Sequence, residues 1–284
     1  MTYRHPLAFL LGLEGMALLR AYAGELPDEF NDERVAEIRA IFEAYDRGEL
    51  GAGDTIGEQD AVSGYNTWSA YYDEEYNPLI EIEEPLVRKI LDGLPLGRAL
   101  DAACGTGRYS EYLAGLGHDV IGVDASPGML AKARAKLPTT DLRYGDLTAL
   151  PVPDVDFDLV VCALALPHVP ALGPVLSEFA RVLRPGGQLV LSDVHCQSLY
   201  LGAIAATPAA DGGTARMPAG RFLPSDYLAA ALPAGFQVRA LLEPRWPSSP
   251  MQGGPWARTW AAAAVDAVAE NTPAAIIWQF AKPA

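Results

Sequence analysis

Leu100-Asp101-Ala102-Ala103-Cys104-Gly105-Thr106-Gly107 is an apolar run that closes on a carboxylate and passes directly into a glycine turn. A second apolar run, Asp119-Val120-Ile121-Gly122-Val123, ends in another acid, Asp124. A strand, a Gly-rich turn and a helix N-terminus set backbone N–H groups around a ligand at the carboxyl edge of a parallel sheet, and an acid after the second strand suits a ribose diol. The pair of motifs therefore predicts a nucleoside-containing ligand at the edge of an α/β sheet.

The acids narrow the ligand further. Asp101 stands where a pyrophosphate would approach, and like charge there repels NAD but favours the sulfonium and ammonium of S-adenosylmethionine. The glycines agree, because Gly105-Thr106-Gly107-Arg108-Tyr109 continues into Ser110 and leaves the dinucleotide pattern G-x-G-x-x-G incomplete. No G-x-x-x-x-G-K-[ST] phosphate loop occurs either. Each piece has an ordinary reading beside it: Gly-x-Gly after a strand is common, and Asp124 ahead of Ser126-Pro127 also suits a turn. Order and spacing together carry the assignment.

With these motifs the chain resembles the class I S-adenosylmethionine-dependent methyltransferases, in particular the bacterial small-molecule, type 11-like subgroup. The resemblance covers Tyr65 to Val194 with specific motifs and extends more loosely to Phe280. The family's first motif reads [DE]-x-G-x-G-x-G, and here Ala103 replaces the first glycine while Gly105 and Gly107 remain. The resemblance implies a cofactor site of Asp101, Ala102, Ala103, Gly105 and Gly107, followed by Asp124, Ala125 and Met129. It implies an adenine clamp at Asp146-Leu147 and places Cys162, at the end of Phe157–Ala163, opposite the methionine part of the cofactor. Arg184-Pro185-Gly186-Gly187 matches the turn into the fifth strand. The aromatic segment Tyr65–Asp73 is implied as a lid, with Tyr65 and Tyr72 on the cofactor; the same aromatics also suit plain helix packing, as Met129 and Cys162 suit plain core. S-adenosylhomocysteine is the implied product.

Hydrophobic periodicity supplies the rest of the frame. Strands are predicted at 99–103, 119–124, 141–144, 157–163, 188–194, 236–243 and 274–280, with helices at 107–116, 127–137 and 169–183 between them. This alternation means an α/β, Rossmann-like doubly wound sheet of seven strands. The family resemblance makes the last strand antiparallel. Further helices are expected over 86–91, after Ser225-Asp226, and over 255–270. Ahead of the sheet, Leu10, Leu13, Met16 and Ala17, and then Val35, Ile38, Phe42 and Tyr45, recur at helical spacing. Residues 1–60 therefore read as an N-terminal helical extension or lid, and 61–284 as the methyltransferase domain. Within it, 195–224 is a Gly-, Ala- and Pro-rich cap insertion after the fifth strand, expected to form the acceptor pocket with the N-terminal helices.

Composition bounds the partners. A formal net charge of −15 opposes a nucleic-acid backbone and an anionic membrane surface. Cys104, Cys162 and Cys196 show no C-x-x-C spacing, and His5, His118, His168 and His195 no H-x-x-x-H, so neither a disulfide framework nor a metal is expected. The cysteine pattern fits a reducing cytoplasm, and the apolar run Pro6–Leu19 is broken by Glu14 and followed by Arg20, which argues against a signal peptide. The N-terminal helix reads equally as a self-packed element, a pocket cover or an element exchanged in a homodimer.

Methyl transfer to an oxygen, nitrogen or carbon nucleophile of a small molecule is the expected reaction. Candidate bases are His168, after the fourth strand, and His195, after the fifth, each of which also suits simple satisfaction of local backbone. Asp193, Arg221 and Tyr227 are candidate acceptor ligands. The alternative is a cofactor-binding enzyme of the same fold that cyclises, decarboxylates or rearranges a metabolite without methylating it.

Overall fold

The computed structural model describes the 284-residue chain apart from residues 75, 204, 210–212, 248–253 and 271, and gives backbone alone at 254 and 255. The chain opens with strand β1 (Thr2–Arg4), helices α1 (Pro6–Tyr22) and α2 (Glu29–Asp46) and strand β2 (Asp54–Glu58). Helices α3 (Ala61–Trp68) and α4 (Pro78–Asp92) precede β3 (Arg98–Ala102), α5 (Arg108–Leu116), β4 (Asp119–Asp124), α6 (Pro127–Lys136) and β5 (Asp141–Tyr144). Then come β6 (Phe157–Ala163), a 3-10 turn (Leu166–His168), α7 (Leu172–Val182) and β7 (Leu183–Val194). Helix α8 (Cys196–Tyr200), β8 (Ala206–Pro208), β9 (Thr214–Arg216), α9 (Pro224–Ala231), β10 (Gln237–Leu242), α10 (Gly254–Ala269) and β11 (Ala275–Ala281) complete it.

These elements fall into two compact units, Met1–Gly57 with Arg245–Thr272, and Glu58–Pro244 with Pro273–Ala284. The larger unit is built on a seven-stranded sheet of order β10-β11-β7-β6-β3-β4-β5. Strands β3 to β7 run parallel, and β11 lies antiparallel to both β7 and β10. Strand order reverses between β3 and β6, which opens a crevice at their carboxyl ends.

Period-two alternation sorts the side chains of this sheet onto two faces. Leu100, Val160, Cys162, Leu189, Leu191 and Trp278 pack in the core that contains Phe179 of α7 and Tyr227 of α9. Ala99, Leu159, Val161, Val190 and Ile277 pack with Val87 and Leu91 of α4 and Leu113 of α5. Both faces of the parallel strands are covered, so they read as unbroken apolar runs.

Several boundaries differ from the sequence expectation for identifiable reasons. Helix α7 starts at Leu172 instead of 169, because Val169 precedes Pro170 and is extended, and Pro174 is accommodated only in a first turn. Helix α4 is longer than 86–91, because the Asn77 side chain accepts from the Leu79 N–H (3.0 Å) and fixes a start well ahead of Pro85. The 195–224 stretch, weakly periodic in sequence, contains α8 and an antiparallel β8–β9 pair; its residues 204 and 210–212 lie outside the described residues.

In the smaller unit β1 pairs antiparallel with β2, and α1, α2 and α10 supply the helices. Helix α2 buries Arg34, Ile41 and Ala44, while Val35, Phe42 and Tyr45 stay exposed. Arg34 tolerates burial because Glu14 of α1 (3.4 Å) and Glu37 both pair with it. No helix among the described residues is long and apolar enough to cross a membrane.

Candidate active site

A cavity opens at the carboxyl ends of β3 to β6, within the larger unit. Its floor is the turn after β3. Gly105 has φ +56° there, a Cβ at that position meets no atom within 4 Å, and its N–H donates to Asp124 Oδ2 (2.8 Å). Ser126 N–H donates to Asp124 Oδ1 (2.7 Å), so two backbone donors fix a carboxylate that lines the cavity. Burial pushes the Asp124 carboxyl above its ordinary value. Ala125 and Met129 continue the wall beyond β4. Asp146 and Leu147 close it beyond β5, and both the N–H and the hydroxyl of Thr148 donate to Asp146 Oδ1.

Ala103 also lines the cavity, with φ +60°. A left-handed backbone is costly for any residue with a Cβ, which is the physical reason the family pattern has glycine at this place.

The opposite wall is aromatic. Tyr65 and Tyr72 line the cavity; the Tyr65 ring stacks on Trp68 (5.7 Å between centroids) and Tyr72 meets Trp68 edge-on at 5.0 Å. This segment is tied to the cofactor loop and α6 by polar contacts. Thr106 Oγ1 donates to Asp73 (2.6 Å), Lys136 pairs with Asp73 (2.6 Å), Lys132 donates to the Ala70 carbonyl (3.2 Å), and Gly128 N–H to Asn66 Oδ1 (2.8 Å). A side chain at Gly128 would collide with Ser69 and Asn66, so glycine permits the close approach.

His168 faces the same cavity with a defined tautomer. Its Nδ1 lies 3.0 Å from the Pro218 carbonyl, which can only accept, so the proton resides on Nδ1. Nε2 is left as the acceptor and takes the Tyr65 hydroxyl at 3.2 Å. Burial lowers the His168 pKa below the usual imidazole value and raises that of the Tyr65 phenol.

The other sequence candidates are not among the residues that line this cavity. Asp101 points to the α5 side, where Ser110 Oγ donates to it (2.7 Å), and burial pushes its carboxyl up to about 6. Ala102 and Cys162 are buried core, and Gly107 (φ +91°) starts α5, with Ala133 and Leu137 packed where a Cβ would go. His195 has both ring nitrogens engaged outside this lining: Gln197 N–H donates to Nδ1 (3.2 Å) in a helix cap, and Nε2 lies 3.0 Å from Glu243 Oε1. Asp193 accepts from the Tyr227 hydroxyl (2.8 Å) and from Leu166 N–H (3.1 Å), and burial pushes it up to about 8. Arg221 is exposed, 5.5 Å from the Tyr200 ring centre.

Sequence reading missed Ala61, Val62, Leu164, Ala165 and Val169, which line the cavity beside His168. Leu164 and Ala165 directly follow β6, and their place at a strand end was the available signal. Nothing near His168 in sequence pointed to Pro218.

A doubly wound sheet of this order, with a glycine turn and an acid meeting in the crevice, defines a nucleoside-binding α/β class. Comparison with known proteins makes the class specific. The model of the methyltransferase domain family matches residues 100–191. An uncharacterised methyltransferase of Synechocystis is 34% identical over 149 residues, covering 48% of this chain and 70% of that protein. The demethylmenaquinone methyltransferase of Renibacterium salmoninarum is 41% identical over 108 residues, 38% of this chain. The chain spans 46% of that enzyme's length. In structure, a methyltransferase of Haloferax volcanii solved with the Trm112 activator superposes with a TM-score of 0.61 at 19% identity, over 79% of this chain and 98% of that one.

The chain belongs to the methyltransferase family. The residues present fit S-adenosylmethionine: Gly105 leaves room for close approach, and the Asp124 carboxylate, held by two backbone N–H groups, lines the same cavity.

Proposed function

We propose that this protein transfers a methyl group from S-adenosylmethionine to an oxygen, nitrogen or carbon nucleophile of a small molecule. The observation that carries the reading is the Asp124 carboxylate, fixed by the Gly105 and Ser126 N–H groups inside a cavity at the switch point of the sheet. When bound, the cofactor supplies an electrophilic methyl on a sulfonium, and S-adenosylhomocysteine leaves. The chain contributes orientation and shielding from water, worth up to about 7–11 kcal/mol for a well-aligned pair. Asp124 takes the ribose hydroxyls, Asp146 and Leu147 the adenine, and Tyr72 covers the cofactor. Tyr65 is reassigned from the cofactor to His168, which is the base.

The reading extends to a cytoplasmic protein with a small-molecule partner and neither nucleic acid nor membrane. The charge of −15 supports that part. Calorimetry with S-adenosylhomocysteine and NAD tests the cofactor: the former binds, the latter does not, and Asp124→Ala weakens binding about tenfold or more, the scale of a lost charged hydrogen bond. Product mass tests the reaction. A gain of one methyl supports transfer, and turnover at unchanged mass overturns it in favour of the cyclisation, decarboxylation or rearrangement class.

A further inference from the structure

The side of the cavity next to His168 is chemically narrow. Ala61, Val62, Leu164, Ala165 and Val169 make it apolar, and no Lys or Arg side chain lines it among the described residues. A carboxylate or phosphate acceptor would therefore lie there without a cation. The two lining acids, Asp124 and Asp146, follow β4 and β5, and the field of Asp124 reaches the Tyr65 phenol.

The polar groups on this side are a tyrosine hydroxyl and a neutral imidazole in line. Pro218 holds the proton on His168 Nδ1, and Nε2 already accepts from a phenol, that of Tyr65. An imidazole whose pKa is lowered by burial is a weak base. It is far better matched to an O–H of pKa about 10, as in tyrosine, than to an alcohol near water's value of about 16.

From this geometry we infer that the acceptor is a largely apolar molecule without an anionic group, bearing a phenolic or enolic hydroxyl whose proton departs through a Tyr65–His168 relay. The inference rests on the methyl-transfer reading above. The acceptor O–H proton passes to the Tyr65 oxygen as Tyr65 passes its own to His168 Nε2. The acceptor oxygen keeps the O–H pair and forms the new O–C bond, the C–S pair remains on sulfur, and the imidazolium returns its proton to solvent.

The test uses the full chain and its Tyr65→Phe and His168→Ala variants, with thermal melts to confirm folding. In the first arm, para-nitrophenol is titrated in the presence of S-adenosylhomocysteine and its phenolate absorbance is read. The wild type perturbs the ionisation of the bound probe and both variants lose that perturbation; binding without any perturbation in the wild type overturns the relay. In the second arm, phenol, para-nitrophenol, cyclohexanol and cyclohexylamine are offered with S-adenosylmethionine and products are weighed. Both phenols are methylated and the saturated alcohol and amine are not. Each variant loses about 100-fold or more with phenol, the usual scale of a proton-transfer residue, but only about threefold with para-nitrophenol, which is already ionised at mildly alkaline pH. Equal losses with both phenols overturn the relay. Methylation of the amine or alcohol in preference, or of none of the four despite cofactor uptake, overturns the acceptor class. Absence of cofactor uptake sinks the methyl-transfer reading itself.

Discussion

Two histidines at adjacent strand ends look alike in sequence, yet their ring nitrogens are committed in opposite ways. His168 gives its Nδ1 proton to Pro218 and keeps an acceptor in the cavity, whereas His195 spends its acceptor on a helix cap and its donor on Glu243. Pro218 and Glu243 lie 50 and 48 residues away, out of reach of any local pattern, and only the Gln197 cap of His195 is local. Ala103 was legible as a departure from the family pattern, but its cost appears only in its φ of +60°. Ala103→Gly should raise unfolding stability by about 1 kcal/mol, read from the denaturant midpoint. Asp193 gives a pH prediction. Its folded value of about 8 lies above the ordinary 3.8, so the folded state holds the extra proton between these values and loses stability as pH rises through that window. Asp193→Asn, which cannot titrate, should show a smaller fall in melting temperature from about pH 5 to about pH 9.

At the level of elements, the strands that read clearly were short runs bounded by turn residues. The three strands 119–124, 141–144 and 157–163 coincide with β4, β5 and β6. Helix α2 read as a helix but presented the wrong face, because the apolar series Val35, Phe42 and Tyr45 lies one residue beyond the buried series Arg34, Ile41 and Ala44. A charge neutralised from another helix can occupy a core position, and periodicity counts it as surface. Helix α4 holds a similar case in the larger unit. Glu83 is fully buried on the same stripe as Val87 and Leu91, where it accepts from Tyr109 (2.7 Å) and Ser192 and pairs with Arg108 (3.1 Å). An acid four residues ahead of an apolar stripe was the available sign. Removing it leaves the half-buried Arg108 with Glu84 alone and takes the partner from the buried Tyr109 phenol, so Glu83→Ala should cost about 3 kcal/mol in equilibrium unfolding.

For the molecule as a whole, the fold class and cofactor edge were legible because the sheet repeats one simple rule, while the acceptor side was not, because it is assembled from α3, the end of β6 and the Pro218 carbonyl. The charge of −15 sets a further expectation. Raising ionic strength from about 0.01 M to about 0.15 M shortens the screening length from about 30 Å to about 8 Å. Relief of self-repulsion should then raise the melting temperature, measured by a salt series at fixed pH.

The antiparallel strand β11 has a consequence for biosynthesis. Among the described residues, strand β10 pairs with the sheet only through β11, whose residues emerge from the ribosome more than thirty positions later. A nascent chain that already contains β10 therefore holds an unsheltered edge on β7 and a strand with no docking place. Vectorial folding of this sheet cannot finish until Ala275–Ala281 slides between them, so a pause in translation just upstream of that segment is the moment at which the growing polypeptide is most exposed to aggregation.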